Sequence, residues 1–193
     1  MHETHEQATV NAHLAAVALS SAADGDLTSP WFVEAERSLL GLPPAWSAEP
    51  GARQLSWVGK LHTYEEFTRQ HGRAPRENTR NREALPAEER RMGEWARYQR
   101  RRGEHLCSFQ KARLEMSPAF QWDPQEAAWD AQFNACVKHA TRCGRLPILN
   151  SADPVEFASA RWLGRQLRQL KLGTLRLGRA ERIRELLNTF AAR

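Results

Sequence analysis

Residues 57–75 read WVGKLHTYEEFTRQHGRAP, and residues 129–147 read WDAQFNACVKHATRCGRLP. Each stretch begins with tryptophan, carries an apolar residue four positions later and ends in Gly-Arg-x-Pro. The second stretch follows the first by 72 positions (129 − 57 = 72). A repeat at a fixed spacing is the signature of a repeated supersecondary unit. What one copy encodes therefore decides the fold.

The first copy encodes a helix and its end. Trp57, Leu61 and Tyr64 recur at spacings of four and three, which places them on one helical face. Gly72 accepts the left-handed conformation that ends helices, and Pro75 prevents continuation. A polar loop, a second helix from about residue 86 to residue 103 and a short third helix over 109–116 are expected next. The second helix is predicted to bury Met92, Trp95, Ala96 and Gln99.

The second copy follows the same pattern. Asp123-Pro124 and Asp153-Pro154 pair a helix cap with a first-turn proline, so two helices are expected to begin there. A third helix is expected near the end of the chain, and no segment alternates apolar and polar residues as a strand does. The sequence predicts an all-α protein. It consists of two tandem three-helix modules, residues 53–122 and 123–193, and an acidic, partly helical N-terminal arm with a linker over residues 1–52.

The arm differs in charge from the repeats. Residues 1–50 carry one basic and seven acidic side chains (−6), residues 51–122 carry 15 and nine (+6), and residues 123–193 carry 12 and seven (+5). Such asymmetry concerns the choice of partners rather than the fold. A helix is expected over about residues 6–22. The arm is either half of a third copy or a separate element.

A known family shares this order of motifs. Tryptophan helices followed by Gly-Arg-x-Pro, and then Gly93, Trp95, Gln99 and Arg100 as Gly-x-Trp-x3-Gln-Arg, resemble the helicase-associated domain. That family consists of small three-helix modules, found in tandem at the ends of bacterial superfamily-two helicases and in stand-alone proteins. The resemblance covers residues 55 to about 190 and implies nucleic-acid binding. It supplies no established contact residues.

The second copy departs from the pattern of the family in its second helix. Gln166 and Leu170 are expected in the places of Trp95 and Gln99, with Trp162 supplying the missing indole from a shifted position.

Arginine-rich helix faces are the main functional signal. Several arginines on one face release counterions from a nucleic-acid backbone, and arginine is also the side chain best suited to guanine. We expect phosphate contacts from the second helices, from the loops after the first helices and from the start of the last helix. The candidate residues are Arg73, Arg97, Arg100, Arg101, Arg145, Arg161, Arg165, Arg168, Lys171, Arg176 and Arg179.

Catalysis is not expected. Gly59-Lys60 is followed by leucine where a phosphate-binding loop requires Ser or Thr, and neither a nucleophile elbow nor a His-Glu-x-x-His motif is present. Cys136, His139 and Cys143 have ligand-like spacing, but Cys136 and Cys143 stand where the first copy has Tyr64 and His71. Packing and helix termination explain those positions, so neither a metal nor a cofactor is predicted.

The tryptophans at the repeat positions 57, 95 and 129 lie on apolar faces, so core packing is expected of them rather than base stacking. The sequence thus predicts a non-enzymatic protein that binds DNA, most simply duplex DNA, with RNA as an alternative ligand. A helicase or another DNA-processing protein is an expected partner in trans. The alternative function is a protein–protein adaptor whose basic face docks an acidic partner and whose arm masks that face or recruits a second protein.

Location follows from the same features. The three cysteines form no disulfide framework, and no apolar run approaches the length of a membrane span. A cytoplasmic protein associated with the nucleoid is expected.

Overall fold

The computed structural model describes residues 26–45, 49–77, 82–149 and 152–190, together with position 16. The prediction of an all-α protein is confirmed, and no strand occurs within these residues. The helix expected over residues 6–22 lies outside them, apart from position 16. The helices are α1 (Ser29–Leu39), α2 (Ala52–His71), α3 (Ala87–Arg101), α4 (Ser108–Met116), α5 (Pro124–Cys143), α6 (Pro154–Lys171) and α7 (Leu177–Phe190).

The chain divides into two units, Met1–Trp122 and Asp123–Arg193. We call them unit 1, which contains α1 to α4, and unit 2, which contains α5 to α7. Each unit has its own cluster of buried apolar side chains. No helix in the described ranges is long and apolar enough to cross a lipid bilayer.

Helix α1 is part of the core of unit 1, although it falls within the predicted arm. The Phe32 ring meets Trp57 edge-on at 5.5 Å between ring centroids and stacks on Phe109 of α4 at 6.0 Å. Phe32, Val33 and Ala35 are buried. In the described part of unit 1, four helices therefore pack together, and its core begins well before residue 53.

Buried polar contacts fix α1 in place. Ser29 Oγ accepts a 3.0 Å hydrogen bond from the backbone N–H of Phe109, which ties the start of α1 to the start of α4. At the other end, Glu36 accepts from Arg113 Nε at 3.0 Å and meets His62 Nε2 at 2.8 Å. Burial alone would raise the pKa of Glu36, but the hydrogen bonds and charges of His62 and Arg113 outweigh it and lower that pKa. Part of the acidity assigned to the arm is thus neutralised within the core.

The same buried polar contact occurs inside each unit, between α2 and α3 in unit 1 and between α5 and α6 in unit 2. Trp57 Nε1 of α2 donates to Gln99 Oε1 of α3 at 2.9 Å, and Trp129 Nε1 of α5 donates to Gln166 Oε1 of α6, also at 2.9 Å. All four residues are buried. A buried indole N–H requires an acceptor, so each glutamine completes the core of its unit.

This contact corrects the register expected for the second copy. Gln166 stands in the place of Gln99, not of Trp95, and Trp162 is the counterpart of Trp95. Trp95 tilts against Trp57 at 6.1 Å and 55°, and Trp162 tilts against Trp129 at 5.5 Å and 58°. Trp57 of α2 and Trp129 of α5 are separated by 72 positions, whereas Gln99 of α3 and Gln166 of α6 are separated by 67 (166 − 99 = 67). The loop of unit 2 is therefore five residues shorter, and its second helix keeps the pattern.

Helices α2 and α5 end as the sequence predicts. Gly72 and Gly144 follow α2 and α5 with φ of 63° and 68°, and their N–H groups donate to the carbonyls of Thr68 and Ala140. A left-handed residue at this position satisfies a carbonyl that the helix leaves unpaired. After each glycine the chain turns into an Arg-x-Pro segment.

Candidate nucleic-acid interface

The predicted arginines fall into two groups, because some are held by carboxylates of their own unit. Arg73 and Arg145, which follow the glycines that end α2 and α5, belong to the held group. Arg73 Nη1 lies 2.6 Å from Glu89 Oε1, and Arg145 Nη1 lies 2.5 Å from Glu156 Oε1. Each guanidinium also donates to the carbonyl of the next residue at 3.1 Å. We call this pair of contacts the loop clamp.

The carboxylate of the loop clamp is buried in both units. The side chains of Glu89 and Glu156 are 3 % and 7 % exposed. Hydrogen bonds from Arg76 and then from Arg73 hold the pKa of Glu89 well below its ordinary value of 4.5. In unit 2, the backbone N–H of Ile148 donates to Glu156 at 3.1 Å, as that of Arg76 donates to Glu89 at 2.8 Å. The Gly-Arg-x-Pro motif therefore ties the loop to the start of the second helix.

Arg100 is also engaged within unit 1. Its guanidinium pairs with Glu77, donates to the Gln121 carbonyl at 3.1 Å and lies 5.7 Å from the centroid of the Phe120 ring. The side chain of Arg100 is only 13 % exposed. It holds the end of unit 1 together.

Arg176 and Arg179 pair with carboxylates of α5. Arg179 Nη2 lies 2.7 Å from Glu126 Oε2, and Arg176 Nη1 lies 3.4 Å from the same oxygen. Arg179 and Arg182 also place their guanidinium carbons 5.1 and 4.8 Å from the Trp129 ring centroid. Cations thus cover the tryptophan of unit 2, whereas Phe32 of α1 packs against the tryptophan of unit 1.

The remaining predicted residues project from α3 and α6. Within the described ranges, none of them makes an ion pair with another side chain. On α6 the four cations follow one another at spacings of four, three and three, so they form one stripe along the helix, and all are exposed. On α3 the two cations lie four positions apart. The residues are Arg97 and Arg101 on α3, and Arg161, Arg165, Arg168 and Lys171 on α6, which we call the α6 stripe.

The α6 stripe has little opposing charge on its own helix. Glu156 is the one acidic residue of α6, and its buried carboxylate is held by Arg145. Arg161 Cζ lies 5.8 Å from the Phe157 ring centroid, which supports its side chain against the helix. Four exposed cations thus lie along almost three turns of one helix, an arrangement that suits contacts with a row of phosphates.

In unit 1 the α3 cations border a groove between α2 and α3, which we call the unit 1 groove. Its volume is about 970 Å³. Besides Arg97, Arg100 and Arg101, it is lined by Lys60, Arg91, Trp95 and Tyr98, with Glu88 and Glu94 as its carboxylates. Cations therefore outnumber carboxylates around two aromatic rings.

Three of these groove residues were missed by the sequence reasoning. Lys60 and Arg91 belong to no regular stripe, so spacing alone does not single them out. Tyr98 follows Trp95 by three positions on a highly charged helix and is 48 % exposed. An exposed aromatic residue among arginines was the signal that could have identified it.

The cysteine and histidine residues of α5 have other roles. Cys136 is buried with its thiol 3.6 Å from the Ser159 carbonyl, and burial raises its pKa to about 11. His139 is buried near Glu156 at 3.3 Å, and Cys143 Sγ lies 4.0 Å from its Nδ1. Among the described residues, no group of three such side chains is arranged to hold a metal ion.

Comparisons with known proteins supply no relative: no family model matches the chain, and no curated protein or solved structure is significantly similar to it. The resemblance to the helicase-associated domain stays a prediction carried by its motifs.

Proposed function

We propose that this chain is a non-enzymatic nucleic-acid-binding protein that grips double-stranded DNA through arginine-rich helix faces in both units. The single observation that carries the proposal is the α6 stripe. Its four cations are exposed and lie on one side of the helix, and within the described residues they make no ion pair with another side chain. A duplex carries one negative charge per ~1.7 Å, so a row of cations displaces several counterions when it binds.

The ion pairs described above divide the candidate residues by role. Arg97, Arg101, Arg161, Arg165, Arg168 and Lys171 are assigned to phosphate contacts. Arg73, Arg100, Arg145, Arg176 and Arg179 are assigned first to the stability of their units, because each would have to give up an internal carboxylate in order to bind phosphate. Exchanging one ion pair for another gains little free energy.

Two units on one chain strengthen binding beyond either unit alone. Once one unit is bound, the other is at a high effective concentration near the same nucleic acid, so two weak contacts combine. The wider proposal follows the resemblance to the helicase-associated domain: a protein at the nucleoid that acts with a helicase or another DNA-processing protein. RNA is the alternative ligand.

The proposal is tested by fluorescence anisotropy of a labelled random-sequence duplex titrated with the full chain at several salt concentrations. We expect micromolar or tighter binding at low salt. Replacing Arg161, Arg165 and Arg168 by alanine is expected to reduce the salt slope by about three phosphate contacts. A matched control replaces three exposed residues outside the α6 stripe, Gln169, Thr174 and Arg184, by alanine. No binding at low salt by a folded protein would end the DNA proposal.

One observation favours the adaptor as a second candidate. Ile148, Leu149, Val155 and Phe157, at the start of α6 and in the loop before it, are between 40 % and 70 % exposed. Apolar side chains exposed beside a basic stripe suit a protein partner with an acidic rim. Part of the acidity expected to mask the basic face is occupied elsewhere, since Glu36 pairs with Arg113 inside unit 1. Absence of duplex binding at low salt by the folded chain would favour this candidate.

A further inference from the structure

The unit 1 groove combines cations with an accessible aromatic ring. Tyr98 is 48 % exposed and lies among Lys60, Arg97 and Arg101, which line the same groove. The guanidinium carbon of Arg102 lies 5.7 Å from the Tyr98 ring centroid. Within the described residues, the Tyr98 hydroxyl has no hydrogen-bond partner. Burial therefore does not account for this ring, and its phenol group is available to a ligand.

Trp95 gives the groove a fixed aromatic wall. It tilts against Trp57 at 6.1 Å and against Tyr64 at 5.7 Å, so the core of unit 1 holds its indole in place. It is only partly buried and also lines the groove. A ligand in the groove thus meets one aromatic ring held by the core and another at the surface.

Unit 2 does not repeat this combination at the positions that correspond to Tyr98 and Trp95. With the register that relates Gln99 to Gln166, Tyr98 corresponds to Arg165 (98 + 67 = 165) and Trp95 to the buried Trp162. The α6 stripe therefore presents a cation where unit 1 presents a phenol ring. The two units share their internal contacts but differ in the chemistry of their outer faces.

This difference bears on the kind of nucleic acid that each face suits. In a duplex the flat faces of the bases are stacked inside, where a surface tyrosine cannot reach them, and the outside is phosphate. In a single strand the bases are free to stack on aromatic side chains while the phosphates follow nearby cations. A row of cations suits both forms, but an exposed ring among cations benefits only the unpaired form.

We propose that the unit 1 groove binds a single-stranded segment of nucleic acid, with an unpaired base stacked on Tyr98 and the flanking phosphates held by Lys60, Arg97 and Arg101. This inference rests on the proposed nucleic-acid binding and adds the class of strand that unit 1 selects. DNA and RNA single strands share the required chemistry, and the experiment distinguishes them.

The test compares four labelled ligands by anisotropy with the full chain: oligothymidylate and oligouridylate of about 16 nucleotides, an abasic DNA strand of the same length, and a duplex. The abasic strand carries the same phosphates and no bases. Stacking on aromatic residues in other proteins corresponds to roughly 5- to 150-fold in affinity per base. We expect oligothymidylate or oligouridylate to bind at least about fivefold more tightly than the abasic strand.

A matched pair of variants assigns the effect to the ring. Tyr98→Leu keeps an apolar side chain without the ring, and Tyr98→Phe keeps the ring without the hydroxyl. Tyr98→Leu is expected to reduce the preference for bases over the abasic strand to below about twofold, and to leave duplex affinity within about twofold of the parent. Tyr98→Phe is expected to retain the preference. Far-UV circular dichroism checks that both variants are folded.

The outcomes separate this inference from the proposed function. Duplex binding together with equal affinity for the base-bearing and abasic strands would overturn the single-strand inference and leave the proposed function standing. Equal losses of duplex and single-strand affinity in Tyr98→Leu would overturn it as well. No binding of any ligand would overturn both. The comparison of the parent protein's affinities for the base-bearing and abasic strands needs no variant. The inference therefore remains falsifiable if Tyr98→Leu does not fold.

Discussion

The indole nitrogen of Trp129 donates a 2.9 Å hydrogen bond to Oε1 of Gln166, and both side chains are buried. The bond crosses from α5 to α6, and its counterpart in unit 1 crosses from α2 to α3 with the same length. Several other residues would favour the helix as well as glutamine does, so helix propensity does not explain the choice of residue 166. Its value here is that it satisfies a buried donor which the apolar core cannot.

Replacing Gln166 by methionine keeps the volume and removes the acceptor. The Trp129 N–H would then be buried without a partner, so we expect unfolding free energy to fall by about 1–3 kcal/mol. Urea unfolding followed by tryptophan fluorescence measures the change. Gln169→Met, at an exposed position of the same helix, is the control and should change stability by less than about 0.5 kcal/mol. Equal effects of the two variants would contradict the role given to the bond.

Replacing Gly93 by alanine should destabilise unit 1, although alanine is the better helix former by about 1 kcal/mol. A methyl group at Gly93 would lie 2.8 Å from the backbone carbonyl oxygen of Arg76, which cannot move away as a flexible side chain would. The matched control is Gly59→Ala in α2, where a methyl group meets no atom within 4 Å. We expect opposite signs in thermal unfolding, with Gly93→Ala lowering Tm and Gly59→Ala raising it. Changes in Tm of the same sign would show that α3 and the loop at Arg76 are not closely packed at Gly93.

Glu89→Gln should remove a pH-dependent part of the stability of unit 1. The pKa of Glu89 is held below its ordinary value of 4.5 by Arg76 and Arg73, so the folded state favours the charged form. That contribution is fully present above pH ~4.5 and is lost as the pH falls towards the lowered pKa. At pH 7 we expect a loss of about 1.5–3 kcal/mol, the scale of hydrogen bonds to a charged group.

The measurement is the urea midpoint of parent and Glu89→Gln between neutral pH and the acid range. Other carboxylates with lowered pKa, such as Asp26 and Glu36, titrate in both proteins and cancel in the difference. The two midpoints should converge as the acid range is entered. A difference that stays constant with pH would mean that the charge of Glu89 does not contribute.

Arg145 and Arg165 should separate stability from binding. Arg145→Ala leaves the buried Glu156 without its guanidinium, so we expect a lower urea midpoint for unit 2 and an unchanged salt slope for duplex binding. Arg165→Ala removes an exposed cation of the α6 stripe, so we expect an unchanged midpoint and a salt slope reduced by about one. Both quantities are measured on both variants. A reduced salt slope for Arg145→Ala would show that Arg145 contacts the duplex and does not act only in the stability of unit 2.

Helices α2 to α7 were predictable, as were the glycines that end α2 and α5, because local signals determine them. The spacing of Trp57, Leu61 and Tyr64 defines a face over two turns, and glycine at positions 72 and 144 meets a backbone requirement that few residues fulfil. Such signals need no knowledge of distant contacts. The all-α class follows directly from them.

The register of the second copy was not predictable in the same way. Gln99 and Gln166 are equivalent because each meets a tryptophan on another helix, and a count along the chain cannot reveal this when the intervening loop differs by five residues. The division of the arginines was hidden for a related reason. Arg145 in its loop and Arg165 on its helix were both expected to contact phosphate, and the position of Glu156 in space separates their roles.

The net negative charge of residues 1–50 led to the wrong assignment of α1 to a separate arm. The acidic residues near the N-terminus led to the prediction of a separate arm, but Glu36 lies one turn after Phe32 on the same buried face of α1. The sum of charges over a segment does not reveal which carboxylates have partners in another segment, 77 positions away for Arg113.

The loop five residues shorter in unit 2 has a consequence for protein engineering. The chain takes a shorter path between the two helices, yet the tryptophan–glutamine bond and the loop clamp are both kept. These two contacts therefore tolerate loops of different length. Tyr98 and Arg165 are exposed and take part in neither contact, so exchanging them changes the surface of each unit and leaves both contacts in place. Each unit can therefore serve as a scaffold whose ligand preference is set by exposed residues. Exchanging the residues at positions 98 and 165 should transfer the preference for single strands from unit 1 to unit 2.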